Sequence, residues 1–476
     1  MKRRILIRTL PLLLAGLLLS GCETHTHAYT QTVIPPTCSS IGYTMHVCAC
    51  GDHYFSDYQA ESAHSFGEWI AGKEATLTVG GEEYRICKNC GDLETRDVEN
   101  LSALAKVYLE SDGTLLYSAG GLRFTCGQKL TALTEGSKPA YDLVLTAAND
   151  ENASYSVDLG WGEQSRYRLE PCFPDPTLSR ASAAEEVWLA CLALREQTAW
   201  ASEIQSGSFP VQIYFDDVYF GLYRLTPPED SWKYAYDGSH GSPTAAIRAE
   251  DDSAGCLFEA LPSYTAEKSD FTVIHCSTEE VSWATESFDG FSIFVRDSKN
   301  AAFKEQLSQY TDPTALIDFF LLCNLFGLST GDTAGTVWTT ADGIRWLPSF
   351  SSLAALSTAY GLTTEGKVYT EASAIPTPAE DGSVAYGGEN LLWTRLCSVF
   401  AEEIRARYAV LRDAVLKPEL LYGDFLEQYE RIEFDLYATD QELHPSLPDD
   451  GYEIAVVLTF LQNRCEAMDE WLAFES

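Results

Sequence analysis

Along this chain the spacing of apolar positions changes from a period of two to one of three to four. In "KVYLESDGTLLYS" (106–118) apolar and polar residues alternate about an Asp-Gly pair, which predicts a tight hairpin. "FPVQIYFDDVYFGLYRLT" (209–226) predicts a second, with Val211, Ile213 and Phe215 on one arm and Tyr219, Gly221, Tyr223 and Leu225 on the other. Between them, "DPTLSRASAAEEVWLACLALREQ" (175–197) predicts a helix: Asp175 can cap it, Pro176 suits its first turn, and Trp188, Leu189, Leu192 and Leu194 supply apolar contact. "TDPTALIDFFLLCNLFG" (311–327) repeats the Asp-Pro start and is apolar almost all round, so a buried central helix is expected. Strand-like "TVWTT" and "GIRWLPSF" follow. Trp393, Leu396, Phe400, Ile404, Tyr408, Leu411 and Val415 keep a helical spacing, and 454–474 continues the type. The pattern predicts an α+β domain over 101–476, strand-rich in front and helical behind.

The first residues interrupt this reading. "MKRRILIRTLPLLLAGLLLSGC" joins a basic head (Lys2, Arg3, Arg4, Arg8) to an apolar run from Leu10 to Leu19, too short for a permanent membrane helix. A secretory signal over 1–21 is expected. Its Leu19-Ser20-Gly21-Cys22 ending resembles the lipobox of bacterial lipoproteins, which implies acylation of Cys22 and an extracytoplasmic chain held to the membrane by lipid. Losing 1–21 removes four basic and no acidic side chains, moving the formal charge from -38 to about -42. Such a surface repels phosphate backbones, so nucleic acid is excluded as a partner. With 45% hydrophobic residues the chain is nonetheless a folding sequence and not an acidic tail.

Of 14 cysteines, eight lie from Cys126 onward in apolar surroundings such as "FLLCNLF", as expected of buried free thiols. Five others cluster between 38 and 90, inside two segments that align with each other. "HAYTQTVIPPTCSSIGYTMHVCACGDHY" (27–54) and "HSFGEWIAGKEATLTVGGEEYRICKNCGDLE" (64–94) share a leading His-x-aromatic, a β-type middle and a paired-cysteine turn closed by Cys-Gly-Asp. The first carries His27, Cys38, Cys48 and Cys50; the second has His64, Cys87 and Cys90, with Leu77 near the place of the lone cysteine. Cysteines in a tight turn can present two thiolates to one ion, and two more ligands complete a tetrahedral zinc site in a unit too small to own a core. Zinc, a disulfide arrangement and free thiols remain open for the first unit. For the second, which has only three ligands in His64, Cys87 and Cys90, zinc, a Cys87–Cys90 bridge and an unmetallated turn all stay open, so a fragment spanning 23–100 should hold at most one zinc ion tightly, and the region should serve as a stalk or spacer. The two units resemble the short Cys/His repeats strung along Gram-positive secreted and surface proteins.

Over 101–476 the blocks "YSVDL…DPTLSRASAAEEVW", "VQIYFDDVYFGLYRL", "FKEQLSQYTDPTALIDFFLLCNLFG" and "RLCSVFAEEIRARYAVLRDAVL" resemble, in order, those of the spore coat protein H (CotH) kinase-like family. That resemblance implies an atypical protein-kinase-like fold on an extracellular or spore-surface protein, with an envelope or spore-surface protein as partner.

Phosphoryl transfer needs a cation over the phosphates and carboxylates for magnesium and for the attacking hydroxyl. Where the family has its lysine, the alignment puts Asp158; where it has its glutamate, Pro227. The Asn-x-Asp positions fall on Leu328 and Thr330, with Thr336 near a later asparagine and Asp332 two residues late. The "P-x-W-D-F-D" block falls on "PSFSSL", so Ser351 and Leu353 replace both metal-binding carboxylates, and neither is a fit magnesium ligand. Arg180 stands at the family's arginine, a candidate nucleotide contact, and Asp332 is the one candidate catalytic carboxylate. Turnover of ATP with magnesium is therefore not expected. The resemblance implies a lipid-anchored, catalytically degenerate binding or scaffolding module, with an active kinase of secreted proteins as the alternative.

Overall fold

The computed structural model describes residues 25–195, 207–228, 243–249, 271–328, 336–350, 356–363, 365–368 and 391–473. The signal segment, Cys22, Thr330, Asp332, Ser351 and Leu353 lie outside the described residues. The chain divides into two compact units, Met1–Asn100 and Leu101–Ser476.

The first unit is a pair of three-stranded antiparallel sheets built to one plan. Strands β1 (Tyr29–Ile34), β2 (Gly42–Cys48) and β3 (His53–Gln59) form one; β4 (Ile70–Lys73), β5 (Gly81–Ile86) and β6 (Leu93–Val98) form the other. In each, the turn after the middle strand closes with the same pair of bonds, the second turn being one residue longer: Cys48 N–H donates to Asp52 O and Gly51 N–H to Cys48 O, and Cys87 N–H to Asp92 O and Gly91 N–H to Cys87 O. Gly51 and Gly91 take φ of 93° and 79°, which only glycine adopts without strain. Arg85 and Arg96 both stack on the Trp69 ring and pair with Glu94 and Glu83. The interior is otherwise meagre: among the described residues up to 100, the only buried apolar side chains are Cys38, Cys48 and Cys87.

In the second unit, strands β7 (Ala105–Leu109), β8 (Thr114–Ala119), β9 (Leu122–Ala132), β10 (Tyr141–Ala147), β11 (Asp150–Ser154), β12 (Val157–Asp158), β13 (Glu163–Gln164) and β14 (Arg166–Glu170) precede helix α1 (Arg180–Ala193). Strands β15 (Phe209–Phe215) and β16 (Val218–Thr226) form the second predicted hairpin, turning at Asp216 and Asp217, both at positive φ. The sheet order is β10-β14-β16-β15-β7-β8-β9, and β9 pairs back onto β10, closing a seven-stranded barrel with β11 attached outside. Its one parallel step joins β7 to β15. Alternate residues fill it: Val107 and Leu109, Leu115 and Tyr117, Leu143 and Leu145, Tyr167 and Leu169, Val211 and Ile213, Tyr223 and Leu225.

This closure corrects the expectation of a protein-kinase-like fold. The strands in front close on themselves as a mixed barrel, and several further sheets accompany it, with helices concentrated in the C-terminal half. A second, four-stranded sheet runs β18 (Phe271–Cys276), β17 (Ala245–Ala249), β19 (Thr336–Thr340), β20 (Leu347–Phe350). Around these lie α2 (Ser282–Asp297), α3 (Asn300–Gln306), α4 (Pro313–Phe326), α5 (Leu391–Val399), α6 (Ala401–Ala414), α7 (Pro418–Glu430), α8 (Phe434–Leu443) and α9 (Ile454–Leu472).

Helix α4 starts as expected, with Asp312 accepting from Thr314 N–H at 2.8 Å and Pro313 in the first turn, and ends at Gly327 with φ 68°. The helical spacing from Trp393 to Val415 resolves into two helices, α5 and α6, meeting at Phe400. Residues on the outer face of β16 are also buried. Arg224 Nε donates to Leu178 O at 2.6 Å and Nη2 to Gln428 Oε1 at 2.9 Å, tying the barrel wall to α7 and the segment before α1.

Candidate metal centres

Chemistry-bearing side chains converge in the first unit. In one group, His25, His27, Cys48 and Cys50 offer ligand atoms all within 4.8 Å of one another; in a second, Cys38, His64, Cys87 and Cys90 do the same. Either group could hold a metal ion. In the first, His25 Nε2 lies 3.1 Å from Cys48 Sγ and His27 Nδ1 3.3 Å from Cys50 Sγ. In the second, His64 Nδ1 lies 3.4 Å from Cys90 Sγ, and Cys38 Sγ lies 3.9 Å from Cys87 Sγ, far beyond the length of a disulfide bond.

The two turns tune their thiols. The Cys50 backbone N–H and then the His25 ring hold Cys48 down at about 5 against its burial. Burial pushes Cys87 up, yet the N–H groups of Asn89 and Cys90 and the His64 ring outweigh it and hold the thiol at about 6. Cys38 goes the other way, to about 11, through burial and its nearness to Cys87 and Cys90. Behind His64, the Asp92 carboxylate stands 3.8 Å from Nε2, where it can orient the ring.

The sequence grouping is corrected in one respect. Cys38, assigned with His27, Cys48 and Cys50, stands instead with His64, Cys87 and Cys90, and His25 takes the vacated position. The second repeat thus reaches four ligands despite Leu77. Sequence reasoning missed His25 because the aligned segment began at His27; the His-Thr-His spacing, with two rings projecting on one side of an extended chain, was the available signal.

Among the described residues, the positions singled out in 101–476 do not converge. Arg180 is fully buried: Nη1 pairs with Asp175 Oδ1 at 2.6 Å and Nη2 donates to Gly451 O at 3.1 Å. This corrects its reading as a nucleotide contact, because the guanidinium is enclosed by protein. Asp175, in turn, accepts from Thr177, Ser179 and Arg180 N–H, shaping the approach to α1. Asp158 is exposed and accepts from Gly160 and Gly162 N–H, a local turn. Pro227 and Leu328 are buried, and Thr336 opens β19.

A cleft of about 340 Å³ beside the first hairpin is lined by Glu110, Gln128 and Asp216 among others. Asp216 is committed to Ser111 N–H at 2.7 Å, and burial, then Asp217 and Asp216, push the Glu110 carboxyl up. No protein-family model matches this chain, and no curated protein matches it. Among the described residues no helix is long and apolar enough to cross a membrane.

Proposed function

We propose that residues 25–98 form a two-zinc structural module, a compact spacer that carries the barrel domain on the outside of the cell. One observation carries the metal reading: the buried apolar side chains of this unit are three cysteines, and each belongs to a four-ligand set. Around tetrahedral zinc, with bonds of about 2.3 Å to sulfur and about 2.05 Å to nitrogen, two sulfurs lie about 3.8 Å apart and a sulfur and a nitrogen about 3.6 Å. The separations of 3.9 Å for the sulfur pair and 3.1–3.4 Å for the sulfur–nitrogen pairs are close to these edges. All four protein positions are filled in each set, which favours a closed structural site over a catalytic one with an open position. The ligands and their neighbours then bind the ion and hold the turns; the ion supplies the core that the sheets lack.

For the whole chain we propose a lipid-anchored surface protein whose barrel domain binds an envelope partner. Support comes from the Leu-Ser-Gly-Cys ending of the signal-like segment, the acidic charge, and the burial of Arg180 in a structural ion pair. The test is chelation. A zinc chelator should abolish the β signature and chemical-shift dispersion of the first unit while leaving the tryptophan fluorescence of the barrel domain unchanged, and added zinc should restore it. A first unit that stays folded after its metal is stripped would refute the proposal.

A further inference from the structure

We propose that the second metal is a staple between the two repeats, with Cys38 lent by the first repeat to complete the site of the second. This rests on the zinc reading above. Cys38 lies in the turn between β1 and β2, where Thr37 N–H donates to Ser40 O at 2.9 Å and Thr37 Oγ1 accepts from Ser39 N–H at 3.4 Å. The corresponding turn between β4 and β5 repeats both bonds: Thr76 N–H donates to Val79 O at 2.9 Å, and Thr76 Oγ1 accepts from Thr78 N–H at 3.4 Å. Thr37-Cys38 therefore matches Thr76-Leu77 in structure as well as in sequence, and Cys38 belongs to the first repeat by fold.

The connecting chain brings the second repeat to it. Ser62 N–H donates to Thr37 O at 2.9 Å and Ser62 Oγ to Pro36 O at 3.2 Å, laying the linker across the Cys38 turn. His64 and the Cys87–Cys90 turn then close on the thiol from the other side. The two sites become non-equivalent. The first is local, because His25 supplies what a preceding repeat would lend; the second exists only while both repeats are in place. Leu77, having no ligand atom, lends nothing onward, so the series stops at two.

The experiment is cysteine protection in the zinc-loaded full-length chain, read by alkylation and peptide mass spectrometry, for wild type, Cys38→Ser and His25→Ala. In Cys38→Ser, Cys87 and Cys90 should react at least tenfold faster while Cys48 and Cys50 stay protected, and hydrogen exchange should rise in the 60–64 linker. His25→Ala should do the converse, exposing Cys48 and Cys50 and sparing Cys38, Cys87 and Cys90. Exposure of Cys48 and Cys50 by Cys38→Ser would overturn the staple and return Cys38 to the first site. If zinc protects no cysteine in the wild type, the metal reading itself fails and the staple with it.

Discussion

Replacing Asp440 by asparagine should destabilise the barrel domain by about 3–5 kcal/mol, the usual loss when one member of a buried ion pair is neutralised. Asp440, on α8, is fully buried; Oδ2 receives the Lys138 ammonium at 2.5 Å and Oδ1 the Leu222 N–H of β16 at 2.9 Å. It thus joins the helical half to the barrel wall and to the connection between β9 and β10. Asparagine can still accept from Leu222 but leaves the ammonium, itself 3% exposed, without its counter-charge beside the Tyr223 ring. Asp440→Ala should lose about 1–3 kcal/mol more, because a buried backbone N–H is then orphaned. Adding Lys138→Met to Asp440→Asn should recover at least half of the loss, since no unpaired charge remains. Urea titration of the full chain, followed by tryptophan fluorescence, reads this domain, as nine of ten tryptophans lie beyond residue 100 and only Trp69 lies before it. If Asp440→Asn stays within about 1 kcal/mol of wild type, the clamp between barrel and helices is refuted.

Three further outcomes are expected. Burial pushes the Cys126 thiol up to about 11 and Cys465 to about 12, so both should resist iodoacetamide at pH 8 with or without chelator, whereas exposed Cys50 and Cys90 should react only once metal is removed; peptide mapping decides. Burial raises the Asp342 carboxylate, but the Arg345 N–H, the Arg345 guanidinium and the Ile344 N–H outweigh it and hold it below its ordinary value. Its stabilisation is therefore full above the unfolded value of about 3.9 and is lost as pH falls through the lower folded value, so Asp342→Asn should flatten stability below about pH 4 and leave its pH dependence at 5–7 unchanged. Cys22→Ala should move the protein from the detergent phase to the aqueous phase, and continued membrane fractionation of that variant would remove the lipid anchor from the account.

What could be read from sequence was local. The two hairpins announced themselves through alternation about Asp-Gly and Asp-Asp turns, and α4 through its Asp-Pro start and Gly327 stop, because each signal lies within a few residues of the structure it causes. Barrel closure was not legible. It depends on Lys106 meeting Gln212 in a parallel step and on β9 returning to β10, pairings set by tertiary packing without a turn motif to announce the parallel one. The same contrast holds in the two Cys/His repeats. The paired-cysteine turns were visible, whereas the partner of Cys38 was decided by how Ser62 lays the linker over Pro36 and Thr37. Arg180 could be matched by position, but only its enclosure by Asp175 and Gly451 shows where its charge is used.

Interleaved ligands give this small unit two four-ligand sets that could each hold a metal ion, where counting ligands repeat by repeat gives one. Elemental analysis of the reduced, purified chain after equilibration with zinc and removal of loosely held ions tests this directly. Two zinc ions per chain are expected, one for each four-ligand set; one ion or none would overturn the two-site reading.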